Sequence, residues 1–148
     1  DLVPLRLEKA RELGATHVLD AGKVDVEEAI METTSGRGVD VAFECAGAAA
    51  TMQMAMRIVK SGGKVQLVGM PQETELTIPI YELLLRELDM SGLFRYAGCY
   101  PPSIALVAAG AVDVHSLITH HFDLDETPEA MEFTHAHKDQ VIKAVVHP

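Results

Sequence analysis

Cysteine is nearly absent from this chain. Its 148 residues hold only Cys45 and Cys99, neither in a Cys-x-x-Cys pair. No zinc-ribbon or thioredoxin signal follows. Two free thiols suit a reducing cytosol, the expected location. Long apolar runs are missing as well. The longest, Ile104 to Val112, is interrupted by Gly110 and is too short to cross a bilayer. Basic residues are outnumbered, 12 Lys and Arg against 22 Asp and Glu, for a net charge of −10. Such a chain repels phosphate backbones and anionic lipid, which argues against nucleic-acid and membrane partners. A small anionic cofactor stays open, because helix N-termini bind anions locally. The sequence has no Gly-x-Ser-x-Gly elbow and no His-Glu-x-x-His pair, so two common hydrolytic chemistries lose their signatures.

What is present reads as a globular α/β chain. Hydrophobic residues make up 48% and charged residues 23%, the balance of a protein with a packed core. Pro4 suits a first helical position, Leu7, Ala10 and Leu13 recur at helical spacing, and Gly14 ends that helix. His17 to Asp20 is a strand candidate. Asp25 and Glu28 open a second helix in the manner of a capping box. "VDVAFEC" alternates with the period of a strand. A helix is expected over Ala48 to Lys60, ended by Ser61, Gly62 and Gly63, and the strand "KVQLVGM" follows. "YELLLREL" reads as a helix and "LDMSGLF" as a strand. Pro101 and Pro102 open a helix that closes at Gly110. "LITHHFDL" is strand-like, Thr127 and Pro128 start a helix, and "IKAVV" is a last strand. Strands alternating with helices predict a parallel sheet covered on both faces.

In such sheets ligands bind beyond the carboxyl ends of the strands. Cys45, Ala46 and Gly47 follow one strand. Val68, Gly69 and Met70 end the next, and Leu93, Phe94 and Arg95 end a third. Asp1 stands before a helix, where an acid gains from the helix dipole. On local grounds that is its better reading. The other is the acid that binds an adenosine ribose in dinucleotide folds, which should follow a glycine-rich turn by about 20 residues. The only Gly-x-Gly, Gly36-Arg37-Gly38, precedes a strand and reads as a turn. Arg6 is a solvated helix residue or a cation beside an adenosine. Arg95 is a fork for phosphate or polyol hydroxyls, or a partner for one of the many carboxylates. Seven histidines invite a metal, but His120 and His121 would point to opposite faces of a strand. No zinc spacing exists, so no metal ligand is assigned here. Ile78, Ile80 and Leu83 to Leu85 form an apolar cluster that is either core or an oligomer contact.

Five stretches, "RLEKARELGATHVLD", "GVDVAFECAG", "SGGKVQLVGMP", "LFRYAGCYP" and "LITHHFDLDETPEAME", stand in an order that resembles the C-terminal portion of zinc-dependent medium-chain alcohol dehydrogenases. Phe94-Arg95-Tyr96 with Tyr100-Pro101 resembles the polyol branch, the sorbitol and xylitol dehydrogenases. The resemblance covers essentially the whole chain. It implies a Rossmann-type doubly wound parallel sheet, with a first strand and a phosphate turn that would precede Asp1. It implies that residues 1–112 belong to an NAD-binding domain and that residues 113–148 return to a catalytic domain.

The resemblance also implies site residues. Asp1 would bind the adenosine ribose of NAD, and Arg6 would flank it. Cys45, Ala46 and Gly47 would contribute to the cofactor site. Val68, Gly69, Met70, Leu93, Phe94 and Arg95 would line the nicotinamide side. Arg95 and Tyr96 would reach a polyol substrate. Zinc ligands would lie outside this chain, and the 148 residues alone are expected to be inactive. A homodimer or tetramer is expected, with the segment near Ile78 to Leu85 close to the subunit contact. The other readings are a zinc-free quinone oxidoreductase of the same superfamily and a non-catalytic α/β oligomerisation module.

Overall fold

A computed structural model describes all 148 residues. The chain divides into two compact units, residues 25–97 and residues 1–24 with 98–148. These boundaries differ from the division at 112/113 that the resemblance implies.

The contiguous unit is built on three parallel strands. They are β1 (Val39–Glu44), β2 (Val59–Leu67) and β3 (Asp89–Gly92), in the order β1-β2-β3. Helices α1 (Val26–Thr33), α2 (Ala49–Ile58) and α3 (Ile80–Leu85) connect and cover them. Asp25 caps α1, its carboxylate accepting the Glu28 N–H at 3.0 Å, as the spacing predicts. A salt bridge ties α1 to α2, with the Arg57 Nε donating to Glu27 at 2.8 and 2.9 Å.

The core lies between the sheet and α2. Met56, Val59 and Val65 are its largest fully buried side chains, joined by Ala42, Ala55, Ile58 and Leu88. Burying apolar side chains at this density supplies most of the unit's stability. In β1 the strand period is as expected, yet the buried face is the row with Ala42 and Glu44. Val41 and Phe43, 43% and 69% exposed, point the other way.

Two features go beyond expectation, one a boundary and one a matter of burial. The helix ends at Ile58, and β2 begins directly at Val59 and runs through Ser61, Gly62 and Gly63. The register explains this: Val39 pairs with Val59 but Val41 pairs with Lys64, so β2 carries a bulge opposite Asp40. A Cβ on Gly63 would fall 2.3 Å from Val59 Cγ1 and 3.0 Å from the Asp40 carbonyl, so only glycine fits that bulge. Secondly, the apolar cluster at 78–85 is split. Ile78 and Leu83 pack on the core, whereas Tyr81, Leu84 and Leu85 are exposed.

The second unit contains α4 (Pro4–Glu12), α5 (Tyr100–Ala108), β4 (Ile118–Asp123), α6 (Thr127–Ala136) and β5 (Lys143–His147). β4 and β5 form a parallel pair. Asp123 and Glu126 make a reciprocal capping box just before α6. No strand forms over His17 to Asp20. That stretch and its surroundings make two main-chain bonds with Asp1, from the Asp1 amine to the Leu19 carbonyl and, just beyond the segment, from the Ala21 N–H to the Asp1 carbonyl, each at 3.1 Å. Two bonds are too few for a ladder.

Candidate functional site

The carboxyl ends of β1, β2 and β3 bring three of the expected groups into one unit. Residues 45–47 follow β1, residues 68–70 follow β2, and residues 93–96 follow β3. The first two turns are locked together. The Glu44 carbonyl accepts the Val68 and Gly69 N–H groups at 2.8 and 2.9 Å. A Cβ on Gly47 would stand 2.5 Å from the Met70 carbonyl oxygen. Glycine at 47 and 69 therefore serves the approach of one turn to the other, beyond any role toward a ligand.

Glu44 is the residue that sequence reasoning missed. It is 3% exposed. Its Oε1 accepts the Ala46 and Gly47 N–H groups, each at 2.9 Å, and the Thr51 hydroxyl at 2.7 Å. Its Oε2 is buried without a partner. The carboxylate thus fixes the turn between β1 and α2. The signal was there: an acid at a strand's end, directly before a turn and a helix start, has free main-chain N–H groups to accept.

A cavity of about 360 Å3 opens beside this turn, lined by residues 46–49 with Met70, Gln72 and Glu73. It borders the N-terminus of α2, whose Ala48 cap offers no side-chain acceptor to the helix. At the end of β3, the Leu93 N–H donates to the Leu67 carbonyl at 2.9 Å. Arg95 adopts a left-handed conformation (φ 56°), and its guanidinium lies 4.9 Å from the centre of the Phe94 ring. A non-glycine residue held there carries strain of the kind that accumulates at functional positions. Phe94, Arg95 and Tyr96 are all exposed, as are Cys45, Val68 and Met70.

Asp1 and Arg6 lie in the other unit. Asp1 Oδ1 accepts the Leu2 and Val3 N–H groups at 2.7 and 2.9 Å and so orders the entry to α4. Its Oδ2 stands 3.9 Å from an Arg6 nitrogen, with both side chains 41% exposed. Arg6 also donates to the Lys138 carbonyl at 2.8 Å. The helix-start bonds of Asp1 use Oδ1 alone, and Oδ2 is left beside Arg6.

A family model described as zinc-binding dehydrogenase matches residues 1–109. The chain belongs to the zinc-binding dehydrogenase family. It is 41% identical to sorbitol dehydrogenase of Bacillus subtilis (strain 168), over all of this chain and 42% of that protein. It is 36% identical to D-xylulose reductase of Saccharomyces cerevisiae, over 99% of this chain and 42% of that protein. A solved structure of an Escherichia coli oxidoreductase/dehydrogenase of unknown specificity superposes with a TM-score of 0.93 at 34% identity, covering 99% of this chain and 42% of its own. The chain therefore spans about two-fifths of the length of these relatives. With them it shares the mixed α/β fold with parallel sheets of the Rossmann-like family domain.

The chain does not fit a zinc ion by itself. No three His, Cys, Asp or Glu side chains come together to hold one. His121 instead faces His147, with the two ring nitrogens 2.7 Å apart, and His120 packs on Phe133. Asp1 Oδ2, with the Arg6 nitrogen 3.9 Å away, keeps lone pairs that suit a hydroxyl of a dinucleotide.

Proposed function

We propose that this chain serves in an NAD-dependent polyol dehydrogenase, which oxidises a secondary alcohol of a sugar alcohol of the sorbitol or xylitol type to a ketose. The names of its relatives support the substrate class. The observation that carries the cofactor assignment is the Asp1 carboxylate. With Oδ1 taken by main-chain N–H groups, Oδ2 is the acceptor for the adenosine ribose hydroxyls, and its charge disfavours a 2′-phosphate. We assign Arg6 to the flank of the adenosine. Cys45, Ala46, Gly47, Val68, Gly69, Met70, Leu93, Phe94 and Arg95 are assigned to the rest of the cofactor, and Arg95 and Tyr96 to the polyol.

When bound, the nicotinamide supplies the hydride acceptor. The metal of the family would take its ligands from outside these residues, so the 148-residue chain alone is proposed to be inactive. Under the same reading, residues 1–112 belong to the cofactor domain and residues 113–148 to the catalytic domain. The exposed Tyr81, Leu84 and Leu85 would face a subunit contact of a homodimer or tetramer.

The test is cofactor preference in the active dehydrogenase carrying this chain. Asp1→Ser should lower the ratio of kcat/KM for NAD to that for NADP at least tenfold, with sorbitol or xylitol as substrate. An unchanged ratio sinks the assignment of Asp1.

A further inference from the structure

Of the seven histidines, two face each other across the β4–β5 ladder. The strands pair in parallel, with His121 opposite Val145 and Asp123 opposite His147. Alternation along each strand puts His121, Asp123, Val145 and His147 on one face. The other face is covered, because His120 and Phe122 pack on Phe133 of α6, with ring centres 5.0 and 6.0 Å apart. His121 and His147 are left exposed. Their rings stack at 19° with centres 5.0 Å apart, and His121 Nδ1 stands 2.7 Å from His147 Nε2.

In this hydrogen-bonded pair one ring nitrogen donates and the other accepts. Both rings are open to water, so the donor exchanges to its other tautomer through solvent, and both facing nitrogens then offer lone pairs. Metal–imidazole bonds are about 2.0–2.1 Å long, which places two nitrogens about 2.9 Å apart when they meet the ion at a right angle. The observed 2.7 Å is close to that separation, and a small turn of two exposed side chains supplies the rest. The surroundings favour a cation. His147 sits beside Asp123 in register, and Asp125 and Glu126 follow in the next turn. Lys143, the lysine of β5, pairs with Ile118 at the far end of the ladder. The chain's net charge of −10 works in the same direction.

We propose that His121 and His147 form a two-imidazole site for a divalent late transition-metal ion of the nickel(II) and copper(II) kind. Two protein ligands are fewer than a zinc centre takes, but these ions bind imidazole tightly and accept tetragonal geometries whose other positions water fills. An ion there ties the last strand to β4 across 26 residues of sequence. The site exists only once both strands are paired, so the ion stabilises the folded chain. This goes beyond the dehydrogenase reading and does not need it.

Nickel(II) chloride is the probe, because it does not oxidise the exposed Cys45 and Cys99. Calorimetric titration of the full chain at neutral pH should show one saturable ion per chain and a rise in Tm, with magnesium chloride giving neither. In proton NMR the ring resonances of His121 and His147 should broaden at the lowest nickel(II) additions. His121→Gln and His147→Gln should each weaken binding at least tenfold. The double variant should lose no more than either alone, since one ring without the other makes no chelate. His17→Gln removes an exposed histidine outside the pair and should leave the affinity unchanged. Broadening that begins at other histidines, equal loss in His17→Gln, or no saturable binding overturns the proposal.

Discussion

Gly69 and Gly47 stand so close that a Cβ on Gly69 would lie 2.2 Å from the Gly47 nitrogen. The same Cβ would meet the Cys45 carbonyl carbon and Glu44 Oε2, each at 2.8 Å. Two of these three atoms are main chain and the third is buried, so the neighbourhood yields only by moving a turn. Gly69→Ala should destabilise the protein by about 2–3 kcal/mol, the usual cost of overpacking. Gly92 provides the control, because a Cβ there would meet nothing within 4 Å and its φ is ordinary. Gly92→Ala should change stability by less than about 0.5 kcal/mol. Urea unfolding of both variants checks the contrast, and equal stabilities would remove the argument.

Arg86 closes the end of α2. It donates to the Met56 and Arg57 carbonyls at 3.0 and 3.2 Å, to the Val59 carbonyl, and to Glu82 at 2.9 Å. These carbonyls are the acceptors that a helix terminus leaves unpaired. Arg86→Ala should cost about 2 kcal/mol, since several acceptors lose a charged donor together. Arg86→Lys should recover only part of this, because one ammonium cannot reach all of them. Glu82→Gln, which leaves the carbonyl bonds in place, should cost less than Arg86→Ala by thermal denaturation.

Asp40 carries the pH dependence. The Lys60 ammonium, with Arg37 next, holds its carboxyl at about 2, below the ordinary 3.8. A depressed carboxyl stabilises the fold above the ordinary value and loses that contribution as pH falls toward 2. The group is exposed, so the effect is small and screened by salt. Asp40→Asn should therefore be less stable than wild type at pH 6 and low ionic strength. The difference should shrink between pH 4 and pH 2, and also in 1 M NaCl. A difference in Tm that persists unchanged at pH 2 would show that the carboxylate acts in some other way.

The α/β order, the helix starts at Asp25 and Pro4 and the three strand ends were legible from period, caps and glycines. The buried face of β1 was not. Alternation in "VDVAFE" gives two faces without saying which the helix covers, and the small Ala42 with the hydrogen-bonded Glu44 took the inside. His17 to Asp20 has strand-like residues, but a strand exists only with a partner ladder. Arg6 shares a hollow with residues more than 120 positions away, a juxtaposition no local pattern encodes. Asp1 was legible as a helix-start acid, and the pairing of its second oxygen with Arg6 came from geometry.

The two compact units differ in how the ribosome would deliver them. Residues 25–97 are continuous, so that unit holds all of its own contacts once residue 97 has been synthesised. The other unit joins residues 1–24 to residues 98–148, and its Arg6-to-Lys138 bond spans 132 residues. Closing so long a loop in an unstructured chain is entropically costly and kinetically slow. Prior folding of 25–97 shortens the effective loop between residues 24 and 98, so the discontinuous unit closes faster after it than from an unstructured chain.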